Sequence, residues 1–144
     1  MSTRIEVKVV EISCLCGAVK VRLDGEPADQ FYCHCDDCQA ASGGAYLAAA
    51  VYPSSAVTVL QGELTSWTLK TMPRKRCAVC GTHVIAEVPG VDLRGVKANL
   101  LPAGVFKPAF HINCSYALLP VNDDLPHYKG FPTAFGGSDE TVDW

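Results

Sequence analysis

The sequence predicts a single β-rich domain, and three observations support this fold class. A length of 144 residues is typical of one domain and leaves little room for a second hydrophobic core. Apolar and polar residues alternate with the period of a strand in several short stretches that end near glycine or proline. No long stretch holds the 3.6-residue period of an amphipathic helix. We therefore expect an all-β or β-rich chain that forms one domain over residues 1–144.

Period-2 alternation is clearest at Val19, Val21 and Leu23, where charged residues fill the positions between them. A short helical turn is expected over residues 36–41. The chain from residue 119 onward is rich in Pro, Gly and Asp and is expected to be irregular. On the same criteria we predict strands over residues 4–12, 19–24, 46–51, 57–59, 64–69, 82–88, 96–101 and 110–116.

Charge and hydropathy argue against several classes of protein. There are 12 Lys and Arg residues against 15 Asp and Glu, a net charge of −3, which disfavours a protein that binds nucleic-acid phosphates. The longest apolar run, residues 45–52, is far shorter than the roughly 20 residues that a membrane span needs. The first 13 residues contain no continuous apolar segment, so we expect no secretory signal peptide and a protein kept in the reducing cytoplasm.

The eight cysteines are arranged in short ordered motifs. In a reducing compartment such thiols are metal ligands more often than disulfides. A redox C-x-x-C of the thioredoxin type would open a helix in a βαβ unit, whereas this one precedes a strand pattern. The motifs are C-x-C at Cys14 and Cys16, C-x-C-x-x-C at Cys33, Cys35 and Cys38, C-x-x-C at Cys77 and Cys80, and a single Cys114.

Ligand counting divides seven of these cysteines into four plus three. Zinc binds thiolates tetrahedrally, and a structural site has four protein ligands whereas a catalytic site has three and an open position. Cys77 and Cys80, followed by Gly81, form a turn that directs two sulfurs at one ion. Cys14 and Cys16 could supply the other two ligands of a closed site.

The remaining Cys33, Cys35 and Cys38 would then provide three ligands and leave the open position of a catalytic zinc. Cys35 and Cys38 flank the expected helical turn, where backbone amides favour thiolates. A fourth protein ligand would instead close this cluster into a second structural site. The candidates for that ligand are His34, His83, His111, His127 and Cys114.

Each histidine also has an ordinary structural interpretation. We expect His34 to point away from the metal and to make hydrogen bonds. His83 and His111 fall within strand patterns, where a satisfied core or edge position is expected, and His127 is expected to be solvated in a loop. Any one of them as a general base is the weaker hypothesis.

The other charged and thiol candidates also have ordinary structural interpretations. Asp36 and Asp37 are expected to be charges at a helix N-terminus rather than an acid–base pair. Residues 74–76, a basic run, are expected on a solvated face, with attraction of a substrate carboxylate as the alternative. Cys114 is expected to be a small buried residue.

These motifs, in this order, resemble the family of glutathione-dependent formaldehyde-activating enzymes, which includes the centromere protein V type of domain. The resemblance covers nearly the whole chain, from about residue 12 to residue 132. The matching segments are SCLCGAV (13–19), FYCHCDDC (31–38), ASGG (41–44), RKRCAVCG (74–81), HIN (111–113) and DLPHYKGFP (124–132).

The resemblance implies a β-tent-like fold with two zinc ions per chain. The family's named activity is the condensation of glutathione with formaldehyde to S-hydroxymethylglutathione, a reaction classed with the carbon–sulfur lyases. Gln39, Arg76 and Asn113 depart from the family pattern, and we expect that none of them touches a ligand. The resemblance assigns Cys14, Cys16, Cys77 and Cys80 to the structural zinc and Cys33, Cys35 and Cys38 to the catalytic zinc.

The resulting hypothesis is a zinc-dependent carbon–sulfur lyase that acts on a small glutathione-like thiol and an aldehyde such as formaldehyde. The substrate thiolate would take the open position of the three-cysteine zinc, since coordination lowers the pKa of a thiol. The alternative is a non-catalytic, zinc-stabilised module that binds another protein. Association with nucleic acid is disfavoured by the charge, and no membrane partner is expected.

Overall fold

The computed structural model describes residues 8–144 and shows a β-rich chain, as the sequence predicts. The start of the strand expected over residues 4–12 lies outside the described residues. No helix within residues 8–144 is long and apolar enough to cross a membrane. The strands are β1 (Val9–Ser13), β2 (Lys20–Asp24), β3 (Asp29–Cys33), β4 (Leu47–Pro53), β5 (Val57–Gln61), β6 (Leu64–Thr68), β7 (Pro73–Cys77), β8 (His83–Val88), β9 (Leu93–Lys97) and β10 (Phe110–Ile112). The helix α1 spans Asp36–Ser42, and 3-10 turns cover Ser54–Ala56, Ala98–Leu100, Cys114–Tyr116 and Thr133–Phe135.

The strands form two open sheets, which agree with a β-tent-like architecture. The smaller sheet has the order β1-β2-β5 and is antiparallel. The larger sheet has the order β10-β3-β4-β9-β8-β7-β6. Each neighbouring pair in it is antiparallel except β10 and β3, which run in parallel.

The main hydrophobic core joins the small sheet to one face of the large sheet. Val21 and Leu23 of β2 are fully buried, whereas Arg22 between them is exposed, as the alternation predicts. The large sheet contributes Ala50, Tyr52, Ile85 and Val96 to the same cluster. Because neighbouring residues of a strand point to opposite faces, the other face of the large sheet remains free for a binding site.

The sequence patterns miss two strands, β3 and β7, and both end at a cysteine. Their sequences, DQFYC and PRKRC, do not alternate between apolar and polar residues. In β7 the buried face carries Arg74, which has a charged partner, rather than an apolar side chain. The alternation of apolar and polar residues therefore does not reveal a strand that buries a paired charge.

Several expected strands have different ends. The strand expected over residues 96–101 is β9, which ends at Lys97 and is followed by a 3-10 turn. The strand expected over residues 110–116 ends at Ile112, because Asn113 adopts a left-handed conformation with φ of 56°. Asparagine tolerates this conformation better than most residues, so it can end a strand abruptly.

The segment from residue 119 onward is irregular, as expected, yet it packs against the edge strand β10. The His111 amide donates to the Pro126 carbonyl at 2.9 Å, and the Tyr128 amide donates to the His111 carbonyl at 3.0 Å. Tyr128 also forms an isolated bridge with Thr141. The C-terminal segment therefore covers the edge of the large sheet beside β3.

The turn between β5 and β6 requires glycine at position 62. Its φ is +91°, and an added Cβ would collide with the Ala18 carbonyl and lie 2.8 Å from the Val19 Cα. Gly90 has a similar φ of +78° but open space where its Cβ would lie.

We expect Gly62→Ala to lower the free energy of unfolding by roughly 3 kcal/mol and Gly90→Ala by about 1 kcal/mol, as measured by chemical denaturation. Equal losses in the two variants would contradict the steric role of the Ala18–Val19 backbone.

Candidate active site

One group of four cysteines connects the two sheets. Cys14 and Cys16 lie in the loop after β1, and Cys77 and Cys80 lie in the turn that begins at the end of β7. Their sulfur atoms all lie within 4.8 Å of one another, with 3.6 Å between Cys14 and Cys16 and 3.8 Å between Cys16 and Cys77. Tetrahedral zinc with Zn–S bonds of about 2.3 Å places its sulfurs about 3.8 Å apart. The donor set therefore fits one tetrahedrally bound zinc ion.

Hydrogen-bond donors point at the sulfurs of this group. The Val19 amide donates to Cys14 Sγ at 3.2 Å, and two amides of the C-x-x-C turn donate to Cys77 Sγ at 3.4 Å. The Thr82 hydroxyl lies 3.0 Å from Cys80 Sγ, and hydrogen bonds from Thr82 lower the pKa of the Cys80 thiol to about 5. Such donors stabilise the thiolate, which is the form that binds a metal.

A second group contains three cysteines around the start of α1. Cys33 ends β3, Cys35 is the N-cap of α1, and Cys38 lies in the first turn of the helix. The sulfurs of Cys33 and Cys35 are 3.4 Å apart, and Cys35 Sγ accepts a hydrogen bond from the Cys38 amide at 3.2 Å. All three sulfurs lie within 4.8 Å of one another, and no fourth Cys, His, Asp or Glu among residues 8–144 belongs to the group.

The three thiols of this group resist ionising together. Hydrogen bonds from the Cys33 and Cys35 thiols, aided by the Arg74 guanidinium, lower the pKa of Cys38 to about 3. The hydrogen bonds that Cys33 makes to Cys35 and Cys38, together with burial, raise the pKa of Cys33 well above its ordinary value. One thiolate is therefore favoured and further ionisation is opposed. A divalent cation would remove that opposition, so the donor set fits a zinc ion.

Two buried cations stand beside the three-cysteine group. Arg74 is 1% exposed, and its Nη2 lies 3.1 Å from Asp37 Oδ2 and 3.7 Å from Cys38 Sγ. Lys97 is 4% exposed, and within the described chain we find no acidic side chain paired with it. Burial lowers the pKa of Lys97 to about 8, although the negative charge of the nearby cysteines acts in the opposite direction. Three thiolates and one zinc carry a net charge of about −1, and the two cations offset this charge together with that of Asp37.

His34 points away from the cysteine sulfurs on either side of it. Its Nε2 lies 2.8 Å from His111 Nδ1, and His111 Nε2 lies 2.7 Å from Asp123 Oδ2. Burial lowers the pKa of His34 to about 4, so the link is made by a neutral ring. This chain of hydrogen bonds ties the loop that carries the three cysteines to the C-terminal segment.

His111, Asp123 and His127 form a third group whose possible metal-ligating atoms lie within 4.8 Å of one another. The nitrogen–oxygen separations are 2.7 Å from His111 and 2.9 Å from His127 to the Asp123 carboxylate. The His111 contact is a hydrogen bond, whereas the His127 contact is close without hydrogen-bond geometry, so His127 Nε2 has no hydrogen-bond partner among the described residues. We therefore assign the His111–Asp123 hydrogen bond a structural role.

Three expectations from the sequence are wrong. His83 is not satisfied, because neither of its ring nitrogens has a hydrogen-bond partner among the described residues. His127 is buried rather than solvated, because Asp123 and Trp144 cover it, with the His127 and Trp144 ring centroids 4.9 Å apart. Arg74 is buried rather than part of a solvated basic face, because β7 is an interior strand of the large sheet and Asp37 pairs with the guanidinium. Of the basic run at 74–76, Arg76 is exposed, as expected.

The three-cysteine group opens into a cavity of about 730 Å³. The cavity lies on the face of the large sheet that points away from the main core. Cys33, Cys35 and Cys38 line it together with Arg74 and Lys97, and most of the remaining wall is apolar. None of the cysteines of the four-cysteine group lines this cavity. The three-cysteine group is therefore the one placed to meet a substrate.

Sequence reasoning missed Lys97. The strand β9 reads LRGVK, so Leu93, Gly95 and Lys97 share one face of the sheet and all line the cavity. A lysine on the same strand face as a leucine and a glycine is a weak signal, because such a pattern also fits a strand near a solvated edge. The structure shows that this face is covered, because Gly95 and Lys97 are both buried.

Two of the three departures from the family pattern, Asn113 and Gln39, make hydrogen bonds to the loop that carries the three cysteines. Asn113 Nδ2 donates to Cys33 Sγ at 3.5 Å, so the expectation that none of the departures touches a proposed ligand is wrong. Gln39 Nε2 donates to the backbone carbonyls of His34 and Tyr116, each at 2.9 Å. The sequence marked both positions as unusual, and their partners became visible only in three dimensions.

Comparison with known proteins agrees with this arrangement. Residues 9–116, three quarters of the chain, match the family described as glutathione-dependent formaldehyde-activating enzyme. A crystal structure of a Rhodobacter sphaeroides protein is similar, with a TM-score of 0.54 and 24% sequence identity, over 65% of this chain and 88% of that chain. At this level of identity the structural likeness supports the fold alone. The family match shows that the chain belongs to the glutathione-dependent formaldehyde-activating enzyme family.

Proposed function

We propose that this protein is a zinc-dependent enzyme of the carbon–sulfur lyase type, which joins a small thiol to an aldehyde or reverses that reaction. The observation that carries the proposal is a group of three sulfurs that has no fourth protein ligand among the described residues and lines a cavity. The family description supports glutathione and formaldehyde as the class of substrate.

In this proposal the two cysteine groups hold zinc in different roles, with two ions per chain. The four-cysteine group, which we call the closed group, would stabilise the fold. The three-cysteine group, which we call the open group, would serve the reaction. A bound zinc lowers the pKa of a substrate thiol and polarises an aldehyde oxygen. The structural ligands are Cys14, Cys16, Cys77 and Cys80, and the catalytic ligands are Cys33, Cys35 and Cys38.

The reaction needs positive charge near the substrate sulfur and the carbonyl oxygen. The thiol sulfur bonds to the carbonyl carbon and loses its proton, while the carbonyl oxygen gains one proton. Arg74 and Lys97 line the cavity and favour both the thiolate and the charge that develops on the oxygen. Asp37 holds Arg74 in place, whereas Lys97 has no acidic partner within the described chain and can donate a hydrogen bond to substrate.

The alternative is a non-catalytic module in which zinc only stabilises a protein-binding surface. That function predicts a fourth protein ligand at the second zinc and needs no cavity beside it. The described residues supply no such ligand, and the cavity is large. Both features favour the enzyme.

The absence of disulfides among the described cysteines supports a protein that functions in a reducing compartment such as the cytoplasm. None of the eight cysteines forms a disulfide. Oxidation would remove the thiolates that bind metal. A small thiol such as glutathione is the expected partner in that setting.

The two cysteine groups should differ in their effect on stability. We expect Cys77→Ser to lower the melting temperature by more than about 10 °C or to prevent folding, because structural zinc binding is part of the folding free energy. Cys35→Ser should stay folded, with a shift of less than about 5 °C. Thermal unfolding followed by circular dichroism makes the comparison, and similar losses in the two variants would contradict the division of roles.

The activity is tested with glutathione and formaldehyde. Exchange between free formaldehyde and S-hydroxymethylglutathione can be followed by NMR at equilibrium, with and without protein. We expect acceleration above the spontaneous rate, a loss of at least tenfold in Cys35→Ser, and little change in Cys114→Ser, which alters a buried cysteine outside both groups. No acceleration with several thiols and aldehydes, by protein shown to contain zinc, would rule out the proposed function.

A further inference from the structure

The cavity beside the three cysteines is much larger than a one-carbon aldehyde needs. Its volume of about 730 Å³ falls within the range of roughly 300–1,000 Å³ that is typical of pockets for multi-atom organic ligands. Much of its wall forms a region that we call the apolar arm. The apolar arm consists of Val51, Val88, Val91, Leu93, Phe131 and Phe135.

Strand register places the apolar arm at a distance from the cysteines. Cys33 pairs with Leu47 at one end of β3, and Asp29 pairs with Val51 at the other end. Four residues of extended strand span about 13 Å. The cavity therefore runs along β3 and β4 from the sulfurs to the apolar arm, a length suited to a chain of several carbons.

The floor of the cavity between these ends is made of small residues. Ala49, Ala86 and Gly95 all line it, and Gly95 pairs with Ala86 on one side and Val51 on the other. A Cβ added at Gly95 would lie 3.8 Å from the Ala86 carbonyl oxygen, which is ordinary contact. Glycine is therefore not forced on this position by its backbone neighbours, and its lack of a side chain leaves room in the cavity.

Large apolar side chains stay exposed around the mouth of the cavity. Val91 is 55% exposed, Phe131 is 42% exposed and Phe135 is 38% exposed. Phe135 packs edge-on against Phe31, with ring centroids 6.0 Å apart, so this part of the wall is fixed by neighbouring side chains. Exposed apolar groups that converge on one cavity are expected where an apolar ligand covers them.

The charged groups of the cavity are confined to its ends. Arg74, Asp37 and Lys97 lie with the cysteines, and Asp29 lies at the far end of β3, where burial raises the pKa of its carboxyl. A tripeptide thiol, with its carboxylates and ammonium, would be poorly matched to the apolar stretch between them. The apolar arm instead suits a hydrocarbon group on the aldehyde carbon.

We propose that the aldehyde substrate carries an extended apolar group, a medium-length alkyl chain or an aromatic ring, which occupies the apolar arm while the reacting carbon lies at the three cysteines. This inference rests on the proposed function for the reaction itself. The thiol adds its sulfur to the aldehyde carbon, and the carbonyl oxygen takes up a proton, so the adduct keeps its apolar group. The polar part of the thiol then lies outside the apolar arm, at the end of the cavity that carries Arg74 and Lys97.

The probe is a series of S-alkyl glutathione thioethers, from S-methyl to S-hexyl, which are stable analogues of the adduct. Binding is measured by isothermal titration calorimetry with the zinc-loaded full chain. We expect affinity to rise about threefold to fourfold for each added methylene, because each one is buried against apolar side chains. A series with no dependence on chain length would overturn the proposal.

Two variants locate the binding of the alkyl group. Gly95→Val places a side chain on the cavity floor, and we expect it to keep the affinity for the S-methyl probe within twofold while it loses at least tenfold for S-hexyl. Val91→Asp should weaken S-hexyl binding by at least fivefold, whereas Leu118→Asp, at a 70% exposed position outside the cavity, should not. If Gly95→Val does not fold, the comparison of Val91→Asp with Leu118→Asp is the test. An unchanged chain-length dependence in the folded variants would overturn the proposal.

The outcome is separable from that of the proposed function. Chain-length-dependent binding without any catalysis would uphold the apolar arm and reject the reaction. Catalysis of formaldehyde addition with no dependence on chain length, in rate or in binding, would uphold the reaction and reject the apolar arm. Aldehydes from formaldehyde to hexanal in the exchange assay supply the second comparison.

Discussion

Seven thiols lie in two groups in this chain, and each group is so crowded that its sulfurs cannot ionise freely without a cation. Much of the remaining structure follows from this constraint. The sulfurs of the closed group come from the loop after β1 and the end of β7, so a metal ion there connects the two sheets. The sulfurs of the open group surround the start of α1, where Arg74, Lys97 and Asn113 provide positive charge and hydrogen-bond donors.

The two groups differ in what surrounds them more than in what they contain. The closed group has four sulfurs, which backbone amides and the Thr82 hydroxyl support. None of its cysteines lines the cavity. The open group has three sulfurs, buried cations and an apolar wall beside it. Burial strengthens the electrostatic effect of those cations because water is excluded. A site with this combination is suited to chemistry on a thiol, whereas the closed group is suited to holding the fold.

The sequence predicted the parts of this account that depend on local spacing. Cysteine spacing and ligand counting grouped Cys14 and Cys16 with Cys77 and Cys80, and alternation located β2 with its buried Val21 and Leu23. Long-range packing was not predictable in this way. Lys97 and Gly95 line the same cavity as the cysteines because β9 pairs between β4 and β8, and Arg74 is buried because Asp37, far away in the sequence, pairs with it.

The central claim is that the chain holds one closed and one open zinc site. Elemental analysis of protein purified without chelator, set against protein concentration, measures the zinc content per chain. The account predicts a ratio near two in the wild type and near one in Cys35→Ser, which retains the closed site. A ratio near one or below in the wild type, unchanged after zinc is added under reducing conditions, would contradict it.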